Sequence, residues 1–144
     1  MKHCLRFSLL IFALRASAVL HADTDAEVNA RKDALELAGA FANDGFKIRD
    51  GYSCGVLKPH DHALIAVNLY AGNQYWFSVG IAEPLKKVAV SLYDESGKQM
   101  TTENFNEGDK AAAGFALENS GQYFVSVDSV GDQEGSFCLV YSYK

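Results

Sequence analysis

The chain has 144 residues, with 13 Lys and Arg against 18 Asp and Glu and a formal net charge of −5. An acidic surface argues against nucleic acid and anionic membrane as partners. A chain of this length holds one hydrophobic core and not two.

The first residues carry the pattern of an export signal. Lys2 and Arg6 form a positive start, Phe7 to Leu14 is a short apolar run, and Ala16-Ser17-Ala18 is a small-residue cleavage site. Residues 1–22 are therefore expected to be a signal peptide cut after Ala22, with a cut after Ala18 as the alternative. Arg15 interrupts the apolar run, which is too short to span a bilayer. After cleavage no transmembrane segment is expected. Removing Lys2, Arg6 and Arg15 from the 13 basic residues leaves 10 against 18 acidic ones, a net charge of −8. It also removes Cys4 and leaves Cys54 and Cys138. An even pair in an exported protein reads as a disulfide, with two separate free thiols as the alternative.

Residues 23–45 form an N-terminal helical segment. Thr24 caps it, with Glu27 three residues on as in a capping box. Val28, Leu35, Ala38 and Phe41 make a thin apolar stripe at helical spacing. Asn43-Asp44-Gly45 is a stop signal. This helix is expected to lie against the following domain or to act as a stalk.

After Gly45 the period changes from helical to two. Phe46, Ile48 and Tyr52 alternate with Lys47 and Arg49. Strand-like runs follow at 63–70, 75–81, 88–93, 99–104, 112–117, 123–130 and 137–143. Turn residues separate them, among them Lys58-Pro59-His60-Asp61, Asp94-Glu95-Ser96-Gly97 and Asn119-Ser120-Gly121. One phrase occurs twice: Gln74-Tyr75-Trp76-Phe77-Ser78-Val79 and Gln122-Tyr123-Phe124-Val125-Ser126-Val127. Seven or eight short strands with regular turns predict a mainly β protein over residues 46–144, an antiparallel, jelly-roll-like two-sheet sandwich preceded by one helix. Alternation places Tyr75, Phe77, Val79, Ile81, Val88, Val90, Leu92, Tyr123, Val125, Val127, Phe137, Leu139 and Tyr141 in the core.

These strands together resemble the bacterial pre-peptidase C-terminal domain. The resemblance rests on Leu57 before the 58–61 turn, on Leu69 with Gly72 and Tyr75, and on Leu92-Tyr93-Asp94-Glu95-Ser96-Gly97. It continues through Gly121-Gln122-Tyr123-Phe124-Val125-Ser126-Val127 and Cys138-Leu139-Val140-Tyr141, and covers roughly residues 50–143. It implies a jelly-roll-like sandwich in an exported protein, of a kind that accompanies secreted proteases and aids secretion, stability or substrate attachment. Some relatives bind calcium and collagen. The module is expected to stand without an attached protease, and Lys86-Lys87 stand where relatives often carry acidic residues.

Several residues are candidates for a site. Calcium takes six to eight oxygen ligands. Asp94 and Glu95 in one turn, and Asp128, Asp132 and Glu134 in another, are the candidate ligands. His60 and His62 would share a face in an extended segment and could chelate a metal, against the plainer reading of a solvated turn. Trp76, Tyr93 and Phe124 point away from the core. If their strands are neighbours they form an aromatic platform for a sugar or a partner side chain. The alternative is that the helix covers them through Leu35, Ala38 and Phe41. No serine sits in a nucleophile-elbow context. The expectation is an exported, periplasmic or secreted, non-catalytic binding or accessory module with no cofactor. Its partner would be a polysaccharide or protein of the envelope or extracellular space. A calcium-dependent adhesion or matrix-binding domain is the alternative, and a hydrolase of unrecognised type a third.

Overall fold

In a computed structural model that describes residues 22–144, the helix α1 runs over Asp25–Ala42 and nine strands follow it. The expected signal peptide and Cys4 lie outside the described residues. The strands are β1 Lys47–Ile48, β2 Ser53–Leu57, β3 His62–Leu69, β4 Gln74–Ile81, β5 Val88–Tyr93, β6 Glu103–Glu107, β7 Lys110–Ala116, β8 Gly121–Ser129 and β9 Gly135–Tyr143. The larger sheet has the order β1-β9-β4-β7-β6, with β2 also pairing β9. The smaller sheet is β3-β8-β5. All pairings are antiparallel, and the two sheets face each other as a β-sandwich.

The expected core alternation holds. Phe77, Val79, Leu92, Val125 and Val127 are fully enclosed, and Tyr75, Ile81, Val88, Val90, Tyr123, Phe137 and Leu139 are buried with them. Tyr141 packs at the margin, half-buried. Burying these apolar side chains between two sheets is the main driving force of the fold. The two copies of the repeated phrase are the central strands of different sheets, β4 in the larger and β8 in the smaller.

Three boundaries differ from expectation. The alternation that begins at Phe46 forms a strand only over Lys47–Ile48, and Gly51 then takes a left-handed conformation (φ 101°). A separate strand, β2, follows and pairs with β9. The segment read as a strand over 99–104 makes only one bridge at Gln99, and regular pairing starts at Glu103.

The helix is capped as expected. Thr24 Oγ1 accepts from the Glu27 N–H at 3.2 Å, and Glu27 Oε2 accepts from the Thr24 N–H at 3.0 Å. Its buried face keeps only half of the expected stripe, Ala38 and the partly buried Phe41. Ala30, Ala34, Leu37 and Ala38 are buried, while Val28 and Leu35 are over 40% exposed. The cause is the surface beneath. A Cβ placed on Gly80 would strike the Ala30 carbonyl oxygen and come within 2.5 Å of the Ala34 nitrogen. Helix backbone therefore lies directly on strand backbone, and only alanine-sized side chains fit between them.

The disulfide is formed. Cys54 and Cys138 face each other in the β2–β9 ladder and are bonded. Ala26, Ala30 and Ala82 pack around the pair, so the bridge lies under the first half of α1. The sulfur of Cys138 is 3.3 Å from the Glu27 carbonyl oxygen. With no thiol proton left, this is packing contact rather than a hydrogen bond. Among the described residues no helix is long and apolar enough to cross a membrane.

Candidate functional site

The sandwich has two outer faces, and they are built differently. On the larger sheet, the residues that point outward under α1 form three rows across β9, β4 and β7. They are Cys138, Gly80 and Lys110; Val140, Ser78 and Ala112; and Ser142, Trp76 and Gly114. Most are small, and Phe41 of α1 covers the large one. Its ring stacks on the Trp76 indole at 4.2 Å between centroids and 6° between planes. Gly114 makes room on the sheet, since a Cβ there would lie 2.7 Å from the indole.

On the smaller sheet the outward rows run across β3, β8 and β5. They are His62, Asp128 and Ala89; Leu64, Ser126 and Ser91; and Ala66, Phe124 and Tyr93. Among the described residues no helix or strand covers this face. Its side chains enclose a shallow, open cleft of about 360 Å³ lined by His62, Leu64, Tyr93, Phe124, Ser126 and Asp128, with Asp94, Glu95 and Gly97 from the turn after β5.

The expected platform of Trp76, Tyr93 and Phe124 is thus divided. Tyr93 and Phe124 are direct neighbours across the β5–β8 ladder. Trp76 belongs to the other sheet, and the outer faces of a sandwich point in opposite directions. The helix covers Trp76 alone, through Phe41.

The acidic candidates divide as well. Asp94, Glu95 and Asp128 line the cleft. Asp132 lies elsewhere, with Oδ1 2.7 Å from His60 Nε2 at an exposed position. Glu134 is exposed and also lies outside the cleft lining. Among the described residues, no three His, Cys, Asp or Glu side chains stand close enough to hold a metal ion. The proposed calcium set is therefore not brought together. Asp94 has a local task instead. Its Oδ1 accepts from the Ser96 hydroxyl at 2.6 Å and from the Ser96 and Lys98 N–H groups at 2.9 Å. The Ser96 hydroxyl and the Lys98 N–H, in that order, hold its carboxyl below the usual aspartate value.

The histidine pair separates too. His60 has a left-handed backbone (φ 57°), so residues 60–62 are not extended. His60 turns to Asp132, while His62 stands opposite Asp128 in the ladder. His62, Ser126 and Asp128 share the cleft but are not bonded as a nucleophilic relay. The Ser126 hydroxyl donates to Asp128 Oδ1 at 2.7 Å, and Ser126 is only 3% exposed. A relay needs the hydroxyl on the imidazole and the imidazole on the carboxylate.

Leu64 and Ser126 are cleft residues that sequence reasoning did not single out. Leu64 is 58% exposed. Its signal was available, because β3 is apolar on both faces: Ile65 and Val67 point inward, Leu64 and Ala66 outward. Trp76 borders a separate hollow of about 410 Å³ with Phe46, Thr101, Thr102 and Glu103.

Set against known proteins, the chain matches no model of a protein family, and a search of curated proteins finds no similar one.

Proposed function

We propose that the protein is an exported, non-catalytic binding or accessory module of the cell envelope or extracellular space. Its ligand surface is the cleft over Leu64, Tyr93 and Phe124. One observation carries this reading. A sheet face presents two adjacent aromatic rings and an exposed leucine over which, among the described residues, no helix or strand is laid, while the other outer face is capped by α1. Exposed apolar surface of this kind, rimmed by polar groups, marks interaction sites.

Export is supported by the Cys54–Cys138 disulfide, since such bonds persist in oxidising compartments. The signal-like pattern of residues 1–22 points the same way. The resemblance to pre-peptidase C-terminal domains agrees with a two-sheet sandwich and with an accessory role. Fold likeness alone would not name an activity.

Thermal unfolding of the protein with soluble glycans and matrix peptides tests the reading. A ligand that binds only the folded state stabilises it by about 2.7 kcal/mol at a hundredfold excess over its Kd. The expected result is a raised melting temperature that Phe124→Ala or Tyr93→Ala removes. A shift that survives both substitutions would place the ligand elsewhere. No shift with any ligand would count against a binding module.

A further inference from the structure

Three features of the smaller sheet converge. The first is the charge of the cleft. Asp94, Glu95 and Asp128 line it, and among the described residues no lysine or arginine does. Carboxylates around an aromatic and aliphatic floor are the chemistry that receives a cation on an apolar stem. The stem lies on Leu64 and Phe124, the charge meets the carboxylates, and ring faces add cation–π attraction.

The second is the edge beside it. Among the described residues β3 pairs only with β8, so its other side carries a row of backbone N–H and C=O groups that no described strand takes up. Natural edge strands are usually blunted by charge or proline. The edge strand β6 of the larger sheet follows that rule, with Glu103 and Glu107. β3 has the sequence HALIAVNL, with no lysine, arginine, aspartate, glutamate or proline. It is eight residues long, enough to template an added strand.

The third is continuity. His62 and Leu64 belong both to the free edge and to the cleft lining. A strand added to β3 would place every second side chain on the cleft's side of the sheet.

Resting on the binding reading of the cleft, we propose that an extended basic segment of a partner protein adds to the free edge of β3 and seats a lysine or arginine side chain in the cleft. A second copy of this chain is a poorer occupant. Pairing β3 with itself would bring two acidic clefts onto one sheet face, and like charges brought together oppose association.

The test uses a fluorescent peptide alternating lysine with threonine, its glutamate–threonine counterpart, and a lysine–threonine peptide N-methylated on alternate amides. The expected result is binding of the basic peptide that weakens as salt is raised, and none by the acidic one. Glu95→Gln with Asp128→Asn should weaken binding by about tenfold, and backbone methylation by at least as much. Amides of residues 62–69 should gain protection from hydrogen exchange in the complex. Melting temperatures of the variants serve as the folding control.

A basic peptide that binds no better than the acidic one overturns the proposal. So does equal binding by the methylated peptide, which would leave charge alone at work. A neutral glycan that binds where the peptide does not, and is lost in Phe124→Ala, overturns it while the binding-module reading stands. If neither peptide nor glycan binds, both readings fall. Concentration-dependent dimers with protected β3 amides in the protein alone would replace the partner with a second copy.

Discussion

The two copies of the repeated phrase ended on opposite outer faces, and matching positions show why one face is capped and the other bare. Trp76 corresponds to Phe124, Ser78 to Ser126 and Gly80 to Asp128. The first two pairs are similar in character, and the third decides. Gly80 has no side chain, so the backbone of α1 rests on it through Ala30 and Ala34. Asp128 puts a carboxylate at the equivalent place, bonded to Ser126 and half-exposed. An apolar helix laid there would bury a charge, which costs far more than the contact returns. Whether an outward aromatic becomes part of the packing or part of a surface is thus set two turns of the pleat away, by the smallest residue in the strand.

The largest effect expected on the capped side comes from the disulfide beneath the helix. Cys54 and Cys138 are 84 positions apart, and closing a loop of that length restricts the unfolded chain by about 4–5 kcal/mol in the chain-entropy argument. Cys54→Ala with Cys138→Ala should lower the denaturation midpoint accordingly, with the reduced wild type following it. Gly80→Val comes next, at about 2–4 kcal/mol, because backbone rather than a flexible side chain stands in the way. A small residue on the bare face gives the contrast: Ala66→Val should stay within about 0.5 kcal/mol. Equal losses at the two sites would erase the distinction between the faces.

Aromatic truncation sharpens the same contrast. Trp76→Ala removes a ring stacked by Phe41 and should cost about 2–3 kcal/mol in chemical denaturation. Phe124→Ala, with one face open to solvent, should cost about 1 kcal/mol or less, and its effect should fall on ligand binding.

A small, pH-dependent effect is expected at the rim of the helix. Burial against the sheet raises the Asp33 carboxyl above the ordinary aspartate value of 3.8, and the neighbouring Asp109 adds to this, with Lys110 partly opposing. A carboxyl whose folded value is raised holds its proton longer in the folded state than in the unfolded one. Stability therefore falls as pH climbs from about 3.8 through the raised value. Asp33→Asn should be the more stable protein at neutral pH, by less than about 1 kcal/mol because the group is partly solvated. The two should converge in melts below that range.

Much of the sandwich was legible from alternation. Tyr75, Phe77, Val79, Tyr123, Val125 and Val127 declare themselves inward because their neighbours are polar or alternate in size. Outward positions are harder. Period two separates faces within a strand, yet it carries nothing about which sheet the strand joins, and Trp76 was grouped with Tyr93 and Phe124 for that reason. The true clue lay in small residues: Ala111-Ala112-Ala113-Gly114 in one strand, Gly80 in another, and Ala30, Ala34 and Ala38 four apart along the helix. Small side chains on both partners spell close approach. β2 went unread because Gly55 and Cys54 give it little strand character, and because its pairing is supplied from far away by β9. The acidic candidates lie in two turns, and distance along the chain does not tell that Asp132 turns to His60 while Asp94 ties its own turn.

Trp76 is the single tryptophan of the chain, and it sits between Phe41 and the sheet. The molecule therefore carries a tryptophan probe at the helix contact and none at the cleft. Loosening of α1 should red-shift the emission while the far-ultraviolet signal of the strands still stands. Ligand arriving over Tyr93 and Phe124, on the far side of the sandwich, should leave the tryptophan spectrum unchanged.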